Sequence, residues 1–237
     1  MDVVIPVHNA AHWLGYCLGA LFNHPGNALG KVIVVDDHSS VEQAKKIKAI
    51  VSGFPSAVLH VNTSNKRGFG AACNYGASKC DSSEILFLNS DCLVASGTLE
   101  DLEQGFIANS KNVLVCPVSN NSSPISVPIF PGYSYLEMSA VIAKACRDLP
   151  LQSRVLEVCT IVGNCLAVKK DFFESVGGFS EEWGIGYGEE TDLHMKALNQ
   201  GLRGVVNIGS YVYHFGGGTF NYEDQIEEHR KKNLNLF

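Results

Sequence analysis

The sequence predicts an α/β protein, a mostly parallel sheet flanked by helices, and three features carry that prediction. Short β-branched runs alternate with stretches of helical period through the first 118 residues, the pattern of repeated βα units. Each apolar run is followed at once by polar residues, as expected where parallel strands end at a ligand-binding rim. The composition is 46% hydrophobic and 18% charged over 237 residues without a low-complexity tract, which supports a core and excludes disordered or fibrous architectures.

Residues 3–7 form the first short run, closed by Pro6 and Asn9, and residues 10–22 carry apolar side chains at helical spacing. Residues 31–35 read as a buried strand, and Asp36, Asp37, His38, Ser39 and Ser40 can cap a helix beginning near Val41. A third strand is expected at 57–61, a helix of small residues at 68–80, a fourth strand at 84–88, a helix at 96–109 and a fifth strand at 113–116. Residues 119–133, rich in Ser, Asn and Pro, read as a mobile loop beside the site or as a linker. Beyond them come a helix at 133–147, a strand at 159–168, a helix at 171–176, a Gly-rich turn, a helix at 189–199 and a last strand at 211–214. The second half has too few strands for its own core, so it is expected to complete the first sheet.

With 18 Lys and Arg against 24 Asp and Glu, the net charge of −6 argues against binding nucleic acid over a wide face. The longest apolar runs, 32–35 and 85–88, fall far short of the roughly 20 residues of a spanning helix. The start, MDVVIPVHNA, does not resemble a secretory signal, and a cytoplasmic protein is expected. Eight scattered cysteines without CxxC pairs read as reduced, mostly buried thiols.

Several residues after the strands have chemistry to offer. Asn89, Ser90 and Asp91 place a carboxylate at the rim, where it either binds a divalent cation or caps the next helix. Asp36 and Asp37 either bond a nucleotide or cap their own helix. Gly68, Gly70 and Cys73 make a GxGxxC that either approaches a diphosphate, with Lys66 and Arg67 beside it, or packs a helix closely on the sheet. The densest cluster runs from Trp183 through Tyr187 to Glu189, Glu190 and Asp192. Its glycines and aromatics suit a sugar ring, and its acids either partner the helix dipole or repel one another into a poised general base. His214 is either structural or the nitrogen ligand that would complete a metal site with Asp91.

In order, VVIPVHNA, VIVVDDHSS, GFGAACNYGAS before ILFLNSDC, GNCLAV, VGGFSEEW, GEETDLHMKALNQG and YVYHFGGGTF resemble the inverting nucleotide-sugar glycosyltransferases of family 2, in particular the rhamnosyltransferase-like members. The resemblance covers nearly the whole chain. It implies one Rossmann-like GT-A domain over 1–237, with a nucleotide-sugar half (1–118) and an acceptor and base half (119–237). By position, Pro6 and His8 match the segment along the nucleoside, with His8 where Tyr is common. Asp37 matches the acid that bonds the base, and Arg67 and Gly68 match the loop that faces the nucleotide. Asn89 to Asp91 match the DxD element, with Asn89 in place of the first acid, Asn89 and Ser90 beside the donor, and Asp91 on the metal. Glu190 matches the catalytic base, Glu where Asp is usual. Glu189, Trp183 and Tyr187 match the acceptor side, with Asp192 holding the helix start there, and His214 matches a histidine of the metal site.

The cofactor implied is a divalent cation, Mn2+ or Mg2+. The donor implied is a nucleoside-diphosphate sugar, and the acceptor a glycan, lipid-linked or protein hydroxyl in glycan or polysaccharide synthesis. The resemblance leaves a rival, a nucleotide-sugar or glycan-binding domain without turnover, because one DxD acid is absent and the base is Glu. The loop 119–133 or the segment 216–218 would close over the ligand. The sequence opens inside its first strand, which suggests a longer parent chain. The cluster His229, Arg230, Lys231 and Lys232 reads as a solvated face or as a peripheral contact with an anionic membrane.

Overall fold

The computed structural model describes residues 1–63, 65–122, 126–146, 148–184 and 186–216. The expected mobile segment 216–218 and the basic cluster at 229–232 therefore lie largely or wholly outside the described residues.

The elements follow one another as β1 (Asp2–Val7), α1 (Ala11–Asn23), β2 (Val32–Asp36), α2 (Val41–Ser52), β3 (Ala57–Val61), α3 (Phe69–Ala77), β4 (Glu84–Leu88), β5 (Cys92–Leu93), α4 (Thr98–Ile107) and β6 (Asn112–Ser119). After them come α5 (Tyr135–Cys146), α6 (Leu151–Arg154), β7 (Val155–Glu157), β8 (Cys165–Lys169), α7 (Lys170–Ser175), a 3-10 turn (Glu181–Trp183), α8 (Glu189–Asn199) and β9 (Arg203–His214). The strands form one nine-stranded sheet in the order β3-β2-β1-β4-β8-β6-β9-β5, with β7 also paired to β9. Pairing is parallel across β3-β2-β1-β4 and again at β6-β9, while β8 runs antiparallel between β4 and β6. The later part of the chain thus completes the sheet begun by the earlier part.

Alternation along the central strands sorts the core into two layers. Val3, Ile5 and Val7 of β1 join α1, α2 and α4 on one face, while Val4 joins α3, α5, α7 and α8 on the other. The small residues of α3 serve that packing: a Cβ at Gly76 would collide with the Val4 side chain.

Three expected strands differ in extent, the fifth running over Asn112–Ser119 instead of 113–116. The strand expected at 159–168 begins only at Cys165, because residues 159–164 loop over the sheet rim. The last strand, expected at 211–214, starts at Arg203 and is interrupted by a register shift between Asn207 and Tyr211. Asn207 fixes that bulge, its Nδ2 donating to the Asp101 carbonyl at 2.6 Å and its Oδ1 accepting from the Gly209 amide at 3.0 Å. All eight cysteines are free thiols, and Cys159 alone is exposed. Among the described residues no helix is long and apolar enough to cross a membrane.

Candidate active site at the carboxyl rim of the sheet

The parallel strands β1, β2, β3 and β4 all end at one rim, and their loops are tied together by hydrogen bonds. His8 is held between two of them: Nδ1 lies 2.6 Å from the Asp37 carbonyl, which can only accept, so Nδ1 carries the proton and Nε2 accepts from Asn9 Nδ2 at 2.9 Å. Asn9 adopts a left-handed conformation (φ 54°), which asparagine tolerates, and its Oδ1 takes the Ser40 amide at 2.8 Å. Pro6 sits inside β1 opposite Val35.

Asp37 is buried, and its carboxylate joins three segments. Oδ1 accepts from Asn62 Nδ2 at 2.9 Å and Oδ2 from the Gly68 amide at 2.8 Å. A carboxylate has about four acceptor positions, so these two bonds still leave places for a base. The Gly68 amide is taken by Asp37, and Gly68 at φ 106° anchors the start of α3. Arg67 beside it is exposed and forms no ion pair among the described residues. It borders an open cleft of about 560 Å³ shared with Lys66, Asn74, Phe179 and Glu181. Lys66 pairs with Glu181 across that cleft.

After β4, the Asn89 amide donates to the Asn164 carbonyl at 2.9 Å, Asn89 in turn accepts from the Cys92 amide at 3.0 Å, and Ser90 and Asp91 are buried. The Asp91 carboxylate meets the end of β9, with Oδ1 3.3 Å from His214 Nε2. His214 Nδ1 faces the Asn121 carbonyl at 3.3 Å, which orients the ring with Nε2 toward Asp91. Asn120 holds the strand end, its Oδ1 accepting from the His214 amide at 2.7 Å and its Nδ2 donating to the His214 carbonyl at 2.9 Å. Burial lowers the His214 pKa, but the hydrogen bond and charge of Asp91 outweigh it and leave the imidazole above its ordinary value. With a carbonyl at Nδ1 and a carboxylate at Nε2, the ring either carries a proton on both nitrogens or has a cation in place of the Nε2 proton. Asn89 Oδ1 is also buried without a hydrogen-bond partner among the described residues. This set of acceptors fits a divalent cation, with Asp91 and His214 as the residues that would hold it.

The acid cluster opens α8. Glu189 is buried with Oε2 unpartnered among the described residues, and burial together with the neighbouring Glu190 charge pushes its carboxyl up. Burial raises Glu190 as well, opposed by the backbone amides of Glu190 and Gly188. The Glu190 side chain packs over Gly163, where a Cβ would lie 3.6 Å from it. Because the next residue, Asn164, pairs with Asn89, the base candidate and the Asn89–Asp91 turn share one end of the sheet. Burial pushes up the thiol of Cys73 in the middle of α3, and the carboxylates of Glu189 and Asp37 act in the same direction.

Of the acceptor-side residues, Trp183 sits differently from the expectation and Asp192 sits at the helix start as expected. Trp183 is only 6% exposed, and a Cβ on Gly188 (φ 124°) would come within 2.6 Å of its ring, so this indole supports the loop from beneath instead of presenting a face. Asp192 is engaged by Lys196 at 2.8 Å one helical turn on, and its amide bonds the Gly188 carbonyl at 2.9 Å, which places it at the helix start. Tyr187 is half-buried at φ 71°, a strained conformation for a bulky residue beside the acids.

Sequence reasoning gave no individual role to Asn62, Asn120, Asn121 or Asn164. The signal was there: an asparagine lies at the rim end of β1, β3, β4, β6 and β8, and one side chain that both donates and accepts can join two loops.

Residues 2–176 match the family described as Glycosyl transferase family 2. Polypeptide N-acetylgalactosaminyltransferase 6 of Homo sapiens is 25% identical over 218 residues, covering 84% of this chain and 35% of that protein. The chain spans about a third of the length of the curated relatives it matches. Of solved structures, GalNAc-T7 with UDP, GalNAc and Mn2+ has a TM-score of 0.68 at 18% identity and covers 90% of this chain and 43% of its own. The mannosyltransferase PcManGT from Pyrobaculum calidifontis in complex with GDP-Man and Mn2+ has a TM-score of 0.67 at 17% identity and covers 99% and 64%. At these identities the likeness is one of fold, and it is the expected GT-A fold. None of these three is a rhamnosyltransferase.

Proposed function

The chain belongs to glycosyl transferase family 2, and on that premise we propose that it transfers a sugar from a nucleoside diphosphate to an acceptor hydroxyl, with inversion and with a divalent cation bound. The observation that carries this reading is the convergence of Asp37, the Asp91–His214 pair and Glu190 on one rim of the sheet. Asp37 and His8 bind and orient the nucleoside end of the donor, and Arg67 faces its diphosphate from the cleft. Asp91 and His214 would hold Mn2+ or Mg2+, which when bound would supply Lewis-acid stabilisation of negative charge on the leaving diphosphate.

Glu190 holds the acceptor hydroxyl and takes its proton as the new bond to the anomeric carbon forms. The bond from that carbon to the diphosphate oxygen breaks in the same displacement, and its electron pair leaves with the diphosphate. Burial raises the Glu190 carboxyl, which makes it a stronger proton acceptor than an ordinary glutamate. The relatives' name, polypeptide N-acetylgalactosaminyltransferase, supports a polypeptide hydroxyl among the expected acceptors. A cytoplasmic site of action and contact with an anionic membrane are part of the proposal on sequence grounds.

Glu190→Gln tests the reading with a panel of nucleotide sugars in Mn2+. Transfer is expected to fall by roughly 10²–10⁴ while donor affinity stays within a factor of about two, and NMR of the wild-type product is expected to show the inverted anomer. An unchanged rate in the variant sinks the base assignment, and retention sinks the single displacement. Donor binding without turnover in the wild type favours a binding domain instead.

A further inference from the structure

We propose that Cys92 is a third protein ligand at the Asp91–His214 centre, so that this site takes thiophilic divalent ions of the Zn2+, Co2+ and Cd2+ class through one oxygen, one nitrogen and one sulfur. The inference rests on the proposed function only for the place of the metal. Cys92 stands directly opposite His214 in the antiparallel β5–β9 pair, and directly opposed residues present their side chains on the same face. One ligand atom each from Asp91, Cys92 and His214 lies within 4.8 Å of the others. Bond lengths of about 2.0–2.3 Å put the ligand atoms of a tetrahedral site roughly 3.5 Å apart. Closing the triad therefore needs shifts of about an ångström, within reach of a small side-chain rotation.

The remaining surroundings point the same way. The Cys92 thiol is fully buried, and its S–H donates to the Asn164 carbonyl at 3.3 Å, a carbonyl already satisfied by the Asn89 amide. Ion binding replaces the S–H bond with a sulfur–metal bond and releases one proton to solvent, with no change of oxidation state. A hard ion such as Mg2+ gains little from sulfur, whereas a borderline or soft ion gains most from it. The expected consequence is a site at which Zn2+ or Cd2+ competes with Mn2+ and displaces it from Asp91 and His214.

Titration of the metal-free protein with Co2+ and with Cd2+ tests this. One equivalent is expected to produce a sulfur-to-metal charge-transfer band, kept in Cys159→Ser, which removes the exposed thiol, and in Cys17→Ser, which removes a neighbouring buried one. Cys92→Ser is expected to lose the band and to bind Cd2+ about tenfold or more weakly. A band that persists in Cys92→Ser, or its absence from the wild type at one equivalent, overturns the assignment. Should Cys92→Ser fail to fold, His214→Gln provides the second measurement: an unchanged band and affinity there also overturns it. No band, together with Mn2+-dependent donor binding, removes the sulfur ligand and leaves the transferase reading intact. A band without donor binding supports the ligand and removes that reading.

Discussion

The two rims of the sheet use the same kind of residue in opposite ways. At the amino rim, Asp2 is buried and its carboxylate accepts from the Lys31 amide at 2.9 Å, the Asp81 amide at 2.7 Å, and the Ser82 amide and hydroxyl at 3.0 and 2.8 Å. Burial pushes this carboxyl up, but the hydrogen bonds outweigh it and hold the pKa below the ordinary value. At the carboxyl rim, Glu189 is as deeply buried, yet one of its oxygens has no partner among the described residues and its pKa is raised. The satisfied acid fastens β1 to the loops before β2 and β4. The unsatisfied acid is kept in an environment that favours its neutral form, which is what a site prepared for a ligand looks like.

The largest expected effect is at the satisfied rim. Asp2→Ala leaves three backbone amides without their acceptor and should cost about 3 kcal/mol in urea unfolding. A folded-state pKa below the unfolded one means that this stabilisation is complete above the ordinary carboxylate pKa and is lost as pH falls through the lowered value. The gap between wild type and variant should therefore narrow below about pH 4. A loss under about 0.5 kcal/mol at pH 7 would end the structural role assigned to Asp2.

Gly188→Ala comes next. A methyl group at φ 124° and 2.6 Å from the Trp183 ring should destabilise by about 2 kcal/mol and slow transfer through displacement of Glu189 and Glu190. A variant with wild-type stability and rate would show that the Trp183–Gly188 contact does not set the acid cluster.

The smallest effect has the opposite sign. Glu189 has a folded pKa above its unfolded one, so the folded state holds its proton more tightly, and stability is lost as pH rises from the ordinary carboxylate range through the raised value. Glu189→Gln removes that cost. It should be more stable than wild type at pH 7 by on the order of 1 kcal/mol and equally stable at pH 4, while transfer falls. A destabilised Glu189→Gln at pH 7 would place Glu189 in the same class as Asp2 and erase the contrast between the rims.

Most of the architecture was legible because its signals are local. The strand at 57–61 and the helices opening near Val41 and Glu189 have the expected limits, set by apolar period and polar punctuation. β5 and β7, with two and three residues, are too short to show a period and exist only through pairing with β9. Among the site residues, Asp91 and His214, 123 positions apart in the chain, lie 3.3 Å from one another. The exposure of Trp183 was not legible, since whether an aromatic ring is covered depends on what lies above it, here Gly188.

By itself the sequence determined the alternation of strands and helices, the rim on which polar residues gather and the family, since each depends on residue types within short segments. Only the tertiary structure decided which acids are satisfied, which aromatic ring is covered and which sulfur faces His214. Those properties arise where loops 72 and 94 residues apart in the chain close on one another, as Cys92 does with Asn164 and Asn120 with His214. Burial and hydrogen bonding at such junctions set the charge of each group, and no local pattern encodes them.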